Sequence, residues 1–414
     1  MEIRPIVSAL MRSKTSAILV SLQVALSLAI LANALHIVNV RQAVAARPSG
    51  IAHEEQVVHI AVRHLAKSGP NEQIALQGRE TAALRAVAGV SAVALTNQVP
   101  LSSSGMQSSV AAERKEDSPS STAAMYYSAD SLVQAWQLKL VEGRDYRPGE
   151  VLETDNDADS DAFPGVALIT RTLAVKLWPN ASSVVGKTFY KGSGADAKPL
   201  QVVGVLERLQ TVSGSRGDKG ELSVVLPMRL ANGFSTVYAV RAEPRQRERV
   251  TRDAEAALRQ VNGAANPVIL STETFDQTRR NRYRADLALS WMLVTVSALL
   301  LLITASGIVG MASLWVIQRR KQIGVRRALG ARKVDILRYF ITENVLITSL
   351  GVAAGVLLAA GLNHILVTQL NMARLPPGYL ASGAIVFWAL GIAAVYGPAW
   401  RAASISPATA TRST

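Results

Sequence analysis

Cysteine is absent from the 414 residues, which excludes a disulfide framework and a thiolate metal site and suits a segment that faces an oxidising compartment without covalent staples. Histidine is scarce at five residues. His53, His59 and His64 lack HExxH-type pairing, so they read as satisfied or solvated side chains and no metal site is assigned. No G-x-x-x-x-G-K-[ST] string occurs: the GKT at Gly186–Thr188 would need glycine at position 181, which is Ala181, so there is no Walker A motif and no catalytic residue is assigned. Acidic residues are nearly missing from the two ends. Outside residues 41–286 there are 14 basic and 3 acidic residues, whereas inside there are 30 and 27. The net charge of +14 therefore collects beside apolar runs, where membrane topology explains it, and this argues against a nucleic-acid partner.

What the sequence has in abundance is apolar length. Hydrophobic residues make up 49% of the chain, and they concentrate in four runs, at residues 15–40, 287–317, 343–370 and 380–400. Each is long enough, at about 1.5 Å per residue, to cross a roughly 30 Å hydrocarbon core. The second would measure about 46 Å, so part of it should tilt or project as a stalk. Residues 1–14 carry Arg4, Arg12 and Lys14 and are placed in the cytosol. Ala43-Val44-Ala45 offers an A-x-A site, but the preceding run is far longer than a signal-peptide core, which favours an uncleaved anchor.

Within the first run Asn33, His36 and Asn39 share one helical face. They form either a polar seam toward other helices or substrate, or a stretch already past the bilayer; polar residues cost little near the end of an overlong helix, which favours the second. Ser306 and Gly310, and Gly351 and Gly355, make small-xxx-small pairs that permit close helix packing. Tyr379 and Trp400 bracket the fourth run as an aromatic belt would.

Between the second and third runs lies QRRKQIGVRRALGARKVDILR, Gln318–Arg338, with eight Lys/Arg against one acid. Basic loops resist translocation, so the segment 318–342 faces the cytosol and residues 41–286 lie outside the cytoplasmic membrane. Ala328 and Leu329 after Arg326 and Arg327, then Ile336, Leu337, Phe340 and Ile341 at helical spacing, predict a short cytosolic helix turning into a span, punctuated by Gly324 and Gly330.

The outer segment reads as strand 56–62, helix 72–87 and strand 90–96, and later as strand 236–241, helix 247–261 and strand 267–270. Two βαβ halves around a long insert, roughly 100–230, predict a ferredoxin-like unit carrying a second subdomain. The fold class is thus a membrane protein with four transmembrane helices and an α+β outer domain. The Ser-rich tract LSSSGMQSSVAAERKEDSPSS (101–121) predicts a mobile loop, and the acid-rich stretch Glu150–Asp161, lacking EF-hand spacing, a solvated one. Arg279, Arg280, Arg282 and Arg284, just before the second run, read as solvated or headgroup-facing.

The ordered IGVRRALGA core resembles the loop between the second and third spans of FtsX/MacB-type ABC transporter permeases. VEGRDY (141–146), VALITRTLAVKLWP (166–179), VVGKTF (184–189) and VVGV (202–205) look like landmarks of the MacB-type periplasmic core domain. Gln322 stands where that family usually has Glu, and Thr409 and Thr411, in the cytosolic tail 401–414, replace its usual Glu and Leu.

The resemblance implies an inner-membrane half-transporter that dimerises with a second copy or a paralogue and binds a cytosolic ABC ATPase carrying ATP and Mg²⁺, itself holding no cofactor. Gly324, Val325, Arg326, Arg327, Ala328, Leu329 and Gly330 would form the ATPase-coupling helix, with glycines at its entry and exit and arginines facing acids on the partner. ATPase closure would then move the periplasmic domain and expel a drug, peptide or similar substrate through an adaptor and an outer-membrane channel. A lipoprotein-releasing permease, or an FtsX-like regulator of a cell-wall hydrolase, would carry the same features.

Overall fold

The computed structural model describes residues 14–64, 69–115, 118–155, 163–214, 217–231, 236–262, 268–370 and 373–404. The N-terminal residues 1–13, the second half of the acid-rich stretch and the tail with Thr409 and Thr411 lie outside that set. The chain divides into two compact units, a helical one formed by Met1–Ala43 with Ala285–Thr414, and an α+β one formed by Val44–Arg284.

The first element is helix α1 (Lys14–Ala45). The α+β unit then begins with β1 (Val57–Arg63), α2 (Pro70–Arg85) and β2 (Val90–Thr96). Pro70 opens α2, where its missing N–H has no intrahelical partner to lose. The insert follows, with β3 (Gln107–Ala111), β4 (Ser120–Ser128), the single turn α3 (Leu132–Ala135), β5 (Leu140–Gly143), β6 (Leu152–Thr154), β7 (Val166–Thr170), α4 (Arg171–Leu177), β8 (Thr188–Lys191), β9 (Lys198–Leu206) and β10 (Ser223–Leu230). The chain returns as β11 (Thr236–Ala242), α5 (Arg247–Asn262) and β12 (Val268–Thr274).

Strands β12, β1, β11 and β2 form one sheet in that order, every neighbouring pair antiparallel. This is the ferredoxin-like arrangement, with the insert between β2 and β11. Side chains alternate across the sheet as the period of two requires. Val58, Ile60 and Val62 pack with Leu84 of α2 and with Val250, Ala254 and Leu258 of α5. From the opposite face Val57, Ala94, Val237 and Ala239 join Tyr126, Trp136 and Leu168 of the insert in a second core. In the insert β4, β3, β8, β9, β7 and β10 pair in sequence, and β10 also pairs in parallel with β4, so the sheet closes on itself.

The Ser-rich tract is not the mobile loop its composition predicts. β3 and β4 pair antiparallel, Gln107 opposite Ala124 and Ala111 opposite Ser120. Val110 and Ala111 are buried while the serines occupy the paired backbone around them. Low hydrophobicity misleads here because a short strand needs only a few buried side chains when its partners supply the rest.

The helical unit continues with α6 (Phe275–Gln318), α7 (Arg320–Ala328), α8 (Lys333–Leu370) and α9 (Pro377–Ala403). Helices α1, α6, α8 and α9 are each long and apolar enough to cross a membrane. α6 has 44 residues, about 66 Å at 1.5 Å per residue, and begins at Phe275 rather than at Leu287. Its first turns are too charged for an apolar run to reveal. α1 is the most enclosed of the four: Val24 and Leu28 are fully buried in a core shared with Ile308, Ile347 and Phe387.

Candidate functional site

The basic segment folds into α7 and the turn after it. Arg326 and Arg327 are not simply presented to solvent. Arg327 Nη1 donates to the Ala403 carbonyl at 2.6 Å, at the end of α9, and the Arg326 guanidinium lies 5.2 Å from the centre of the Tyr339 ring on α8. Ile323 and Gly324 are buried, whereas Val325 and Leu329 are 53% and 82% exposed. Spaced four residues apart, those two place an apolar edge on the outer side of α7. Gly330 has φ +93°; its N–H bonds to Arg327 O and that of Ala331 to Arg326 O, which is the glycine-terminated cap that stops a helix sharply. Gly324 differs from the expected role: it lies inside α7 and not at its entry.

Two further residues fix this segment from behind. Arg319, between α6 and α7, donates through Nη1 to Glu343 Oε1 and Oε2 at 3.0 and 2.8 Å. The Tyr339 hydroxyl lies 3.4 Å from the same nitrogen. Sequence reasoning passed over Glu343, although it is one of only three acids outside residues 41–286, and an ionisable residue at the edge of an apolar run is costly enough to need a reason.

The packing glycines separate into two groups. A Cβ on Gly351 would come within 2.8 Å of Ser21 O, and one on Gly355 within 3.0 Å of Ala25 O, so both seat α8 directly on the α1 backbone. Ser306 and Gly310 are exposed, and Gly310 meets nothing within 4 Å. On α6 the glycine against α1 is instead Gly307, facing Gln23.

The polar face of α1 makes interhelical contacts. Asn33 is buried and donates to Ala359 O of α8; His36 Nε2 lies 3.3 Å from Ala373 O; Asn39 donates to the Tyr379 hydroxyl at 2.8 Å. Ser21 to Ile347 O and Ser27 with Thr304 Oγ1 extend these contacts along the helix.

Two of the arginines at the start of α6, Arg279 and Arg282, are also engaged. In the α+β unit Arg279 forms two bonds to the Glu54 carboxylate, at 3.0 and 2.5 Å, and two to the Ala45 and Arg47 carbonyls. Arg282 donates through Nε to Ser213 O at 2.9 Å. In the helical unit Arg41 is ion-paired with Asp286. Arg279 and Arg282 are thus engaged where the sequence predicts solvated arginines, whereas Arg280, 71% exposed and paired with Asp276 of its own helix, and Arg284 are exposed as expected. Among the described residues no cluster of three or more His, Cys, Asp or Glu could hold a metal ion.

Comparison with known proteins accounts for this combination. Residues 24–262 match the MacB-like periplasmic core domain, and residues 294–407 match the FtsX-like permease C-terminal domain. The chain belongs to the FtsX/MacB-type permeases. It is similar to the pyoverdine export ATP-binding/permease protein PvdT of Pseudomonas savastanoi pv. phaseolicola, 28% identical over 267 residues, which are 62% of this chain and 39% of that protein. It is 32% identical over 227 residues to the macrolide export ATP-binding/permease protein MacB of Bradyrhizobium diazoefficiens, 51% of this chain and 33% of that protein. The chain spans about two fifths of the length of the first of these relatives and one third of the second. Among solved structures, the extracellular domain of the noncanonic ABC-type transporter YknZ from Gram-positive bacteria aligns at 14% identity with a TM-score of 0.33, over 51% of this chain and all of that one. This FtsX/MacB-type chain thus joins a MacB-like periplasmic core domain to an FtsX-like permease domain, with four helices long and apolar enough to cross a membrane.

Proposed function

We propose that this permease works in the inner membrane as one half of an export complex, driven by an ABC ATPase that docks on α7 and carries the ATP and Mg²⁺. The observation that supports this reading is the exposed Val325–Leu329 edge on a helix held from behind by Arg327 at Ala403 O and Arg326 over Tyr339. A helix pinned on one side with an apolar pair on the other fits a groove in a partner, as amphipathic helices do. Arg320 and Lys321, both exposed, supply a basic rim that steers toward acidic groups.

Docking at α7 would be passed through Arg319–Glu343 into α8 and through the unbroken α6 to the outer domain, whose motion expels substrate from the periplasmic side through an adaptor and an outer-membrane channel. A second permease copy, or a paralogue, completes the complex; the exposed Ser306 and Gly310 face of α6 allows close helix approach there.

The test is reconstitution with the ATPase in lipid nanodiscs. Val325→Asp/Leu329→Asp is expected to abolish ATPase binding. Arg326→Glu/Arg327→Glu is expected to leave some binding but to remove substrate-stimulated hydrolysis. Unchanged stimulated hydrolysis in both variants would overturn the reading.

A further inference from the structure

Within the α+β unit a cleft of about 720 Å³ opens on the face of the ferredoxin-like sheet that is turned away from α2 and α5. Its volume lies within the roughly 300–1,000 Å³ range of small-molecule sites. The walls come from β1 and β12, from the loop after β2, and from the first turns of α6. Val99, Leu101, Met106 and Val237 make the apolar lining, and the exposed Ser103, Ser104 and Asn281 stand at its mouth.

His59 lines this cleft and is 4% exposed. Trp136, itself fully buried, donates its indole N–H to His59 Nε2 at 3.2 Å. In a neutral imidazole whose Nε2 accepts, the proton sits on Nδ1. Nδ1 is buried and has no hydrogen-bond partner in the chain. A buried donor without an acceptor is costly, and the other side of the ring is occupied by Trp136 and Phe275, both edge-on at about 6 Å.

The loop that walls the cleft adds a second, independent sign. Leu101 and Ser103 both have φ in the left-handed region, at 65° and 72°, which non-glycine residues rarely adopt and which collects at ligand-binding sites. The conformation is imposed: Leu101 N–H bonds to Thr211 O, Ser103 N–H to Val212 O, and Met106 N–H to Gln98 Oε1.

Charge in the lining is balanced. Glu273 sits directly opposite His59 in the β1–β12 register and so on the same face of the sheet, and it accepts from Thr278 Oγ1 at 3.3 Å. Among the described residues Arg282 is the one guanidinium in the lining. One carboxylate and one guanidinium give the described lining no net charge, and an ion buried there without a matching partner would be penalised.

We infer that this cleft binds an amphipathic small molecule of no net charge, one of whose hydrogen-bond acceptors takes the His59 Nδ1–H while its apolar body lies against Val99, Leu101 and Met106. Binding requires neither nucleotide nor ATPase, so it stands or falls apart from the coupling proposal.

The absence of cysteine makes a clean test possible. Ser103→Cys introduces a unique thiol at the mouth of the cleft, in the full chain in nanodiscs, and its reaction with a maleimide is timed. Three probes of matched size are added: N-acetyl-diphenylalanine amide (neutral), N-acetyl-diphenylalanine (anionic) and diphenylalanine amide (cationic). The neutral probe is expected to slow the thiol saturably, about fivefold or more. His59→Phe, which keeps a ring but loses the donor, is expected to raise the half-protecting concentration about fivefold or more, as loss of one buried hydrogen bond implies. Glu273→Gln leaves His59 untouched and should shift preference toward the anionic probe, which keeps the inference testable if His59→Phe does not fold. Protection by no probe, equal protection in the parent and His59→Phe chains, or a charge preference unmoved by Glu273→Gln would each overturn it.

Discussion

Arg319 Nη1 donates to both carboxylate oxygens of Glu343, and the Glu343 side chain is 1% exposed. The pair joins the end of α6 to the first turns of α8 across the whole of α7. A carboxylate buried there without its guanidinium would be an uncompensated charge, and breaking such a pair by removing one partner costs about 3–5 kcal/mol. Glu343→Ala and Arg319→Ala are each expected to lower the thermal unfolding midpoint of the full chain markedly. Arg319→Met/Glu343→Met should lose less than the two single changes added together, because neither charge is left unpaired. Strict additivity in the melting data would show that the two residues act separately.

The glycines on α8 bear on packing in a way that separates fold from assembly. Gly351→Ala sets a methyl 2.8 Å from a backbone oxygen of α1 that cannot step aside, so overpacking of about 1–3 kcal/mol is expected. Gly310→Ala meets open space and should leave the chain's own melting unchanged or raise it, since alanine favours a helix interior over glycine by about 1 kcal/mol. If α6 lies against a second permease, Gly310→Leu will instead change the mass of the purified complex measured by light scattering or native mass spectrometry.

In the ferredoxin-like half, Glu80 is a buried acceptor shared by three elements. Its Oε1 accepts from His64 Nε2 at 2.8 Å and from Asn262 Nδ2 at 2.6 Å, and its Oε2 from the Tyr238 hydroxyl at 2.5 Å. Burial, reinforced by the charge of Glu80, holds the Tyr238 hydroxyl well above its ordinary value. Glu80→Ala strips all three donors of their acceptor at once, so a loss of about 3 kcal/mol or more is expected. Tyr238→Phe removes one bond and should cost about 1 kcal/mol. Denaturant unfolding followed by circular dichroism ranks the two; equal losses would mean that the network is not shared.

Much of this architecture was legible because the apolar runs and the two βαβ halves each declare their period. The strand 90–96 and the starts of β11 and α5 fall where alternation and 3.6-residue spacing place them. Three features escaped for physical reasons. α6 begins earlier than its apolar run because a helix end rich in Arg carries no hydrophobic signal. The Ser-rich tract hides β3 because a short strand borrows its burial from its neighbours. The roles of Arg326, Arg327 and Arg279 depend on partners far away in sequence, at Ala403, Tyr339 and Glu54, which local pattern cannot reveal. IGVRRALGA marked out the segment that forms α7, yet the side of it that stays exposed is set by those distant contacts.

His59 also makes the outer domain sensitive to acid. Burial pushes its pKa down to about 3 from an ordinary 6.5, so the folded chain holds the imidazole neutral while the unfolded chain takes up a proton below about pH 6.5. The unfolded state therefore binds more protons across the window from about 6.5 to about 3, and stability falls with pH there at up to roughly 1.4 kcal/mol per pH unit from this group. Above pH 6.5 both states are neutral at this position and the contribution is complete. His59→Phe deletes the titrating group. Its unfolding free energy is expected to be lower than that of the parent at pH 7.5, where the Trp136 N–H loses its acceptor. It should nevertheless fall less steeply between pH 6.5 and 4.5. Urea unfolding of the full chain at intervals of half a pH unit measures both slopes, and parallel curves would place the acid sensitivity elsewhere.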